Sequence, residues 1–168
     1  MATIEQKLKS PNIRVYFPEV LEAITSKKTK VERIELLRAF RDKTPENKKL
    51  ITQFMECMTH PKVVFDLPEG MPPLKDTGIT DYNMALLPLS KAFSKVVYFV
   101  ASTNSYIKNP VKREQVFMQV LESMYKKDAE LFCMIKDKKI NSKVYRGVTE
   151  QLLMDAYMPE VATPLGNV

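Results

Sequence analysis

An all-α fold, a compact irregular bundle of about seven helices with one long proline-rich loop and little or no β-structure, follows from three features of the sequence. Apolar residues recur at three- and four-residue intervals over most of the chain. Cap-plus-proline start signals stand ahead of several of these stretches, and the one run of strand-like composition has no evident partner.

The first helix is expected near 18–24, because Pro18 suits the first helical position and Val20, Leu21 and Ile24 share a face. Thr29 and Glu32 have capping-box spacing, and Val31, Ile34, Leu37 and Phe40 follow at helical intervals, which predicts a second helix over 30–42. A third follows at once. Thr44 can cap, Pro45 can sit at the first position and Glu46 adds charge that suits the helix dipole, after which Leu50, Ile51, Phe54, Cys57 and Met58 recur on one face. The short connection between these two helices predicts an antiparallel hairpin, closed before Pro61 because the residue preceding a proline is pushed out of the α region.

Lys62 to Phe65 is β-branched and aromatic, and reads as extended chain. Pro68, Gly70, Pro72 and Pro73 then fall within six residues, so the stretch from Asp66 to Thr80 must be a stiff loop. The apolar run from Tyr82 to Ala101 leaves little polar face and predicts a buried central helix, interrupted or kinked at Pro88. Asn109-Pro110 repeats the cap-plus-proline signal ahead of a helix over 110–125. Asp128 is expected to cap the next, with Leu131, Phe132, Met134 and Ile135 facing inward. Val148, Thr149 and Leu153 have the spacing of a hydrophobic staple around a cap and predict a last helix over 150–157, stopped by Pro159.

At 168 residues with 45% hydrophobic and 27% charged content, the chain is expected to form one domain over 1–168, with looser ends at 1–12 and 160–168. The longest apolar stretch, Val96 to Ala101, is far shorter than the ~20 residues that span a bilayer, and the start lacks the apolar run of a signal peptide. The two cysteines, Cys57 and Cys133, lie in apolar helical patterns, as reduced thiols in a cytoplasm do. These features predict a soluble intracellular protein with no membrane partner.

Catalysis finds little support in the residues. Cys57 and His60 are three apart on one helical face, but zinc needs three or four ligands and the chain holds one His in all. A nucleophilic thiol would need a lowered pKa and an orienting group. Four scattered glycines form no phosphate-binding loop. No catalytic residue, metal site or cofactor is therefore expected, although a site assembled from distant residues leaves no local motif.

The net charge of +6 favours acidic partners, but 20 of the 26 basic residues are Lys, which lacks the planar fork with which Arg reads bases. The densest basic segment, Lys136, Lys138, Lys139, Lys143 and Arg146 together with Tyr145, could contact phosphates and stack on a base, or could be a solvated connection that complements a helix C-terminus. Lys27, Lys28, Lys30 and Arg33 form a second patch. The loop residues Leu67, Pro68, Glu69, Gly70, Met71, Pro72 and Pro73 are the prime protein-interaction element, since proline-stiffened chain presents its side chains at low entropic cost; bracing of the fold is the alternative.

Four segments carry a family resemblance: Val31 to Phe40, Asp66 to Pro73, Val116 to Met124, and Ala129-Glu130-Leu131-Phe132 through Ile135 to Lys138. On these the chain resembles a family of small proteins encoded by large contractile-tailed phages of cyanobacteria and enterobacteria, Leu-Pro-Glu-Gly-x-Pro-Pro being the most specific element. Thr149 and Ala156-Tyr157-Met158-Pro159 are similar to the family's usual ending but carry one extra residue. The resemblance implies a phage origin and expression in the cytoplasm of a bacterial host, and it implies no activity. The expectation is a non-enzymatic accessory protein that binds a protein or nucleic-acid assembly of the replication, transcription or packaging machinery. A virion component or assembly factor, which could self-associate as a homo-oligomer, and an inhibitor of a host protein are the alternatives.

Overall fold

A computed structural model describes residues 2–101 and 107–157. Among them are eight α-helices: α1 (Ile4–Lys9), α2 (Phe17–Ile24), α3 (Lys30–Lys43), α4 (Pro45–Thr59), α5 (Leu89–Ala92), α6 (Pro110–Glu122), α7 (Lys126–Asp137) and α8 (Glu150–Tyr157). The fold is all-α. The described residues contain no strand, and their β-pairing is a single antiparallel bridge between Phe65 and Val100. No helix among them is long and apolar enough to cross a membrane. The described residues divide into two compact units, the first made of those up to Met55 and from Ile140 on and the second of those from Glu56 to Lys139, with the first boundary falling inside α4.

In the first unit, α1 lies within the polar start and is held by a reciprocal capping box between Thr3 and Gln6. Thr29 caps α3 through the backbone N–H of Glu32 (3.2 Å). Thr44 ends α3 in an extended conformation and accepts from the N–H of Asn47 (3.0 Å), so one residue closes one helix and opens the next. Phe17 stacks on Phe40 with centroids 5.4 Å apart and meets Phe54 edge-on at 5.0 Å, while Tyr157 tilts against it at 6.3 Å. Around these rings Val20, Leu21, Ile24 and Leu37 are wholly buried.

Helix α8 packs chiefly on α3. Thr149 caps it through the N–H of Leu152 (3.1 Å), and Val148 and Leu153 are both buried, as a staple requires. The carbonyls that its last turn leaves open are met from α3: Arg38 donates to Asp155 O (3.1 Å) and Ala156 O (3.2 Å), and Arg41 to Ala156 O (3.4 Å). Met158, Pro159 and the expected tail lie outside the described residues. Gly147 adopts φ +82°, and a Cβ there would stand 2.9 Å from the Arg33 guanidinium.

The second unit is built around Phe132 of α7. Phe117 of α6 stacks on it at 5.8 Å, and Phe65 and Phe93 meet it edge-on at 6.3 and 6.5 Å. Phe99 closes the cluster by an edge contact to Phe117 at 5.1 Å. The extended run ending at Phe65 does find a partner here: Asp66 N–H donates to Phe99 O (2.8 Å) and Ala101 N–H to Val64 O (2.7 Å).

Two expectations are corrected in this unit. The apolar stretch 82–101 is not one buried helix but a 3₁₀ turn (Tyr82–Met84), the short α5 and a 3₁₀ segment (Phe93–Tyr98). Pro88 is extended (φ −72°, ψ 155°) and supplies no N–H, and Leu87 N–H turns away to Ser123 O (2.9 Å). Leu86, 85% exposed, lies outside the core that Leu89, Ala92, Phe93 and Phe99 enter. Asp128 does not cap α7. The helix starts after Tyr125, which leaves Asp128 buried in the first turn, where its charge suits the positive end of the dipole.

Candidate functional site

The proline-rich loop is a braced structure in the second unit. Its entry is held by Arg113 of α6, a residue only 6% exposed. The guanidinium donates to the backbone O of Asp66 (2.9 Å), to the carboxylate of Asp66 (2.9 Å) and to Ile107 O (2.7 Å). One planar fork thus serves three acceptors on chain that has no helical partners of its own.

Two residues on, Lys136 of α7 performs the same service. Its side chain is 2% exposed, and the ammonium donates to Pro68 O (2.5 Å) and to the Asp137 carboxylate (2.6 Å). Asp137 in turn accepts from Gly70 N–H (3.1 Å), at a glycine with φ +93° that an L side chain would strain. A buried ammonium is tolerated only with such acceptors around it, so Lys136 fixes the loop and is fixed by it. At the surface Lys139 pairs with Glu69 at 2.9 Å, both side chains being more than 70% exposed. That hydrogen bond lowers the Glu69 carboxyl and raises the Lys139 ammonium from their ordinary values.

The braced loop stands off α6 and leaves a cleft of about 250 Å³. Residues 67–73 make one wall, and Glu114, Phe117 and Met118 of α6 with Lys136 make the other. Phe117 belongs to the core beneath, whereas Glu114 and Met71 are exposed.

The predicted basic segment is distributed differently from its sequence order. Lys136 is buried, Lys139 pairs with Glu69, and Lys138 donates to His60 O (2.7 Å) from a left-handed conformation (φ 53°) at the end of α7. Tyr145 is 1% exposed, which leaves its ring no face for a base, while Lys143 and Arg146 are exposed. In the N-terminal patch Lys27 pairs with Glu5, Lys30 with Asp155 (2.6 Å), and Arg33 donates to Lys27 O (3.0 and 3.2 Å).

Cys57 and Cys133 are both buried free thiols, pushed up by desolvation to about 11 and about 12, so neither is a thiolate near neutral pH. The His60 imidazole accepts the backbone N–H of Lys62 (3.1 Å). Among the described residues no group of three or more His, Cys, Asp or Glu is placed to hold a metal ion.

Arg113, Glu114, Phe117 and Met118 complete the site, and the sequence does not mark them as site residues. Arg113 carried a readable signal, since it lies on the stripe of Phe117 and Leu121 at four-residue steps, where a cation must find buried acceptors.

Residues 20–142 match the model of a family of unknown function, DUF6433. The chain belongs to the DUF6433 family. The matched span includes Arg113, the whole loop and α7, and stops short of Lys143, Tyr145 and Arg146. Neither a curated protein nor a solved structure matches this DUF6433 chain.

Proposed function

We propose that this DUF6433 chain is a non-enzymatic phage accessory protein that binds another protein of a replication, transcription or packaging assembly in the host cytoplasm, the contact being made at the 66–73 loop and its cleft. The phage assignment rests on the sequence resemblance. The observation that carries the binding role is the bracing of the loop: buried Arg113 and Lys136 hold its carbonyls, so the exposed edge is already ordered and a partner need not supply the ordering free energy. The same contacts weaken the nucleic-acid reading of the basic segment. Lys136, Lys138 and Lys139 are engaged within their own unit, and Tyr145 is buried. The two protonated thiols supply no nucleophile, which supports a role without catalysis.

A tagged chain recovered from infected cells tests this reading. The expected outcome is a nuclease-resistant complex with a phage protein, weakened about tenfold or more by Met71→Glu, because Met71 is 44% exposed on the loop and a carboxylate there must be desolvated on docking. Capture that disappears with nuclease, or that ignores Met71→Glu, overturns it.

A further inference from the structure

We infer that the occupant of the cleft is a segment of the partner protein that presents one apolar side chain beside an Arg or Lys, the apolar group entering between the loop and α6 and the cation meeting Glu114. This rests on the protein-binding reading above and adds the chemistry of the partner.

Size limits the occupant first. At about 250 Å³ the cleft falls below the ~300–1,000 Å³ of sites that enclose small molecules or cofactors, and suits a side-chain anchor instead. Its apolar surface comes from Leu67, Met71, Phe117 and Met118. Methionine adapts to anchors of different shape, which fits recognition of a side chain in a flexible segment.

Charge selects the neighbour of that anchor. Despite a net charge of +6 over the chain, the accessible charge lining this cleft is acidic. Lys136 lines it but is buried, with its ammonium already between Pro68 O and Asp137. Glu114 is exposed on α6, and Glu69 is engaged only in a solvent-exposed pair with Lys139, of the kind that is weak and readily exchanged. Pro68, Pro72 and Pro73 carry no N–H, so the loop offers acceptors with few donors and cannot pair fully as a strand. An acceptor-rich, acidic rim calls for a donor-rich cation. Arg113 and Lys136 display that preference on the inner side of the same loop. A larger recess of about 410 Å³ nearby in the unit carries Lys75 and Lys126 against Asp76, Glu122 and Glu130, and selects neither sign.

The test is selection of random short peptides, displayed on a carrier, against the purified full chain, followed by fluorescence anisotropy with the enriched synthetic peptides. Enriched sequences are expected to place Arg or Lys within a few residues of Leu, Met or Phe. Glu114→Lys, at an exposed helix position that circular dichroism should find folded, is expected to weaken them about tenfold, and exchange of the peptide's cation for Glu should restore binding to that variant. Acidic or uncharged enriched sequences, failure to enrich any peptide, or binding indifferent to Glu114→Lys would overturn the inference. A partner from infected cells that still depends on Met71 while ignoring Glu114→Lys sinks this chemistry and leaves the protein-binding reading standing. Loss of the Met71 dependence itself removes both.

Discussion

Both units close on an aromatic cluster, around Phe17 in the first and Phe132 in the second, but the cations differ in what they hold: Arg38 and Arg41 of the first meet the end of helix α8, whereas the two buried cations of the second hold a loop without helical hydrogen bonds of its own. The ring clusters depend on apolar area and packing, which act without direction. The loop of the second unit depends on donors held 2.5–2.9 Å from particular carbonyls, which is a directional requirement. A proline-rich loop needs the second kind, because its prolines remove donors while its carbonyls still require partners. The result is a surface element held by directed hydrogen bonds, yet with an irregular outline that forms a cleft.

The largest expected effect comes from breaking the apolar arrangement. Phe17 is 2% exposed and touches Phe40, Phe54 and Tyr157, so Phe17→Ala removes the common member of three ring contacts and should cost about 3–5 kcal/mol in urea denaturation. A loss under about 1 kcal/mol would mean that the surrounding rings collapse into the space, and that packing in this unit is less specific than its geometry suggests.

Arg113→Met probes the polar arrangement at nearly constant bulk. Asp66 O and Ile107 O would lose their donor, with an expected loss of about 2–3 kcal/mol. The location of the effect matters more than its size. Hydrogen exchange should rise first at the amides of Asp66 and Ala101, which pair with Phe99 O and Val64 O, while amides of α3 keep their protection. Equal loosening of both units would erase the distinction between them.

The same contrast decides what the sequence reveals. Helices α3, α4, α6 and α8 were legible because periodicity and caps are local: Thr29, Thr44, Asn109 and Thr149 each bond to backbone within three residues. The loop was legible as a loop, since Pro68, Gly70, Pro72 and Pro73 permit little else. Its cleft was not. The donors that shape it stand 47 and 68 residues away at Arg113 and Lys136, and a contact of that range leaves no periodic trace. Lys136 reads as part of a basic patch because a run of charges suggests solvent, although it follows Phe132 by four residues on a buried face. The stretch 82–101 misled in the opposite sense: Pro88 marks the break that its chemistry requires, but apolar composition without a clear period reads as buried helix on both sides of it, where only the short α5 and two 3₁₀ segments form.

The smallest effect separates the surface pair from the buried clamps. The Lys139 hydrogen bond holds the Glu69 carboxyl below its ordinary 4.5, so its contribution to the folded loop is complete above that pH and lost as pH falls through the lowered value. The Glu69 hydrogen bond raises the Lys139 ammonium above 10.5, so its part is complete below that pH and lost as pH rises through the raised value. Between these limits the pair should be insensitive to pH. In a carbon-13 NMR titration the Glu69 carboxyl should titrate below its ordinary range in the native chain, and move up toward that range both in Lys139→Ala and in high salt, since the exposed pair is screened. The amide signal of Gly70 should stay in place throughout the Lys139→Ala change, because Asp137 and Lys136 hold that part of the loop independently. A Gly70 signal that shifts with Glu69 would make the surface pair part of the brace, and the loop would then owe its order to exposed charge as well as to the two buried cations.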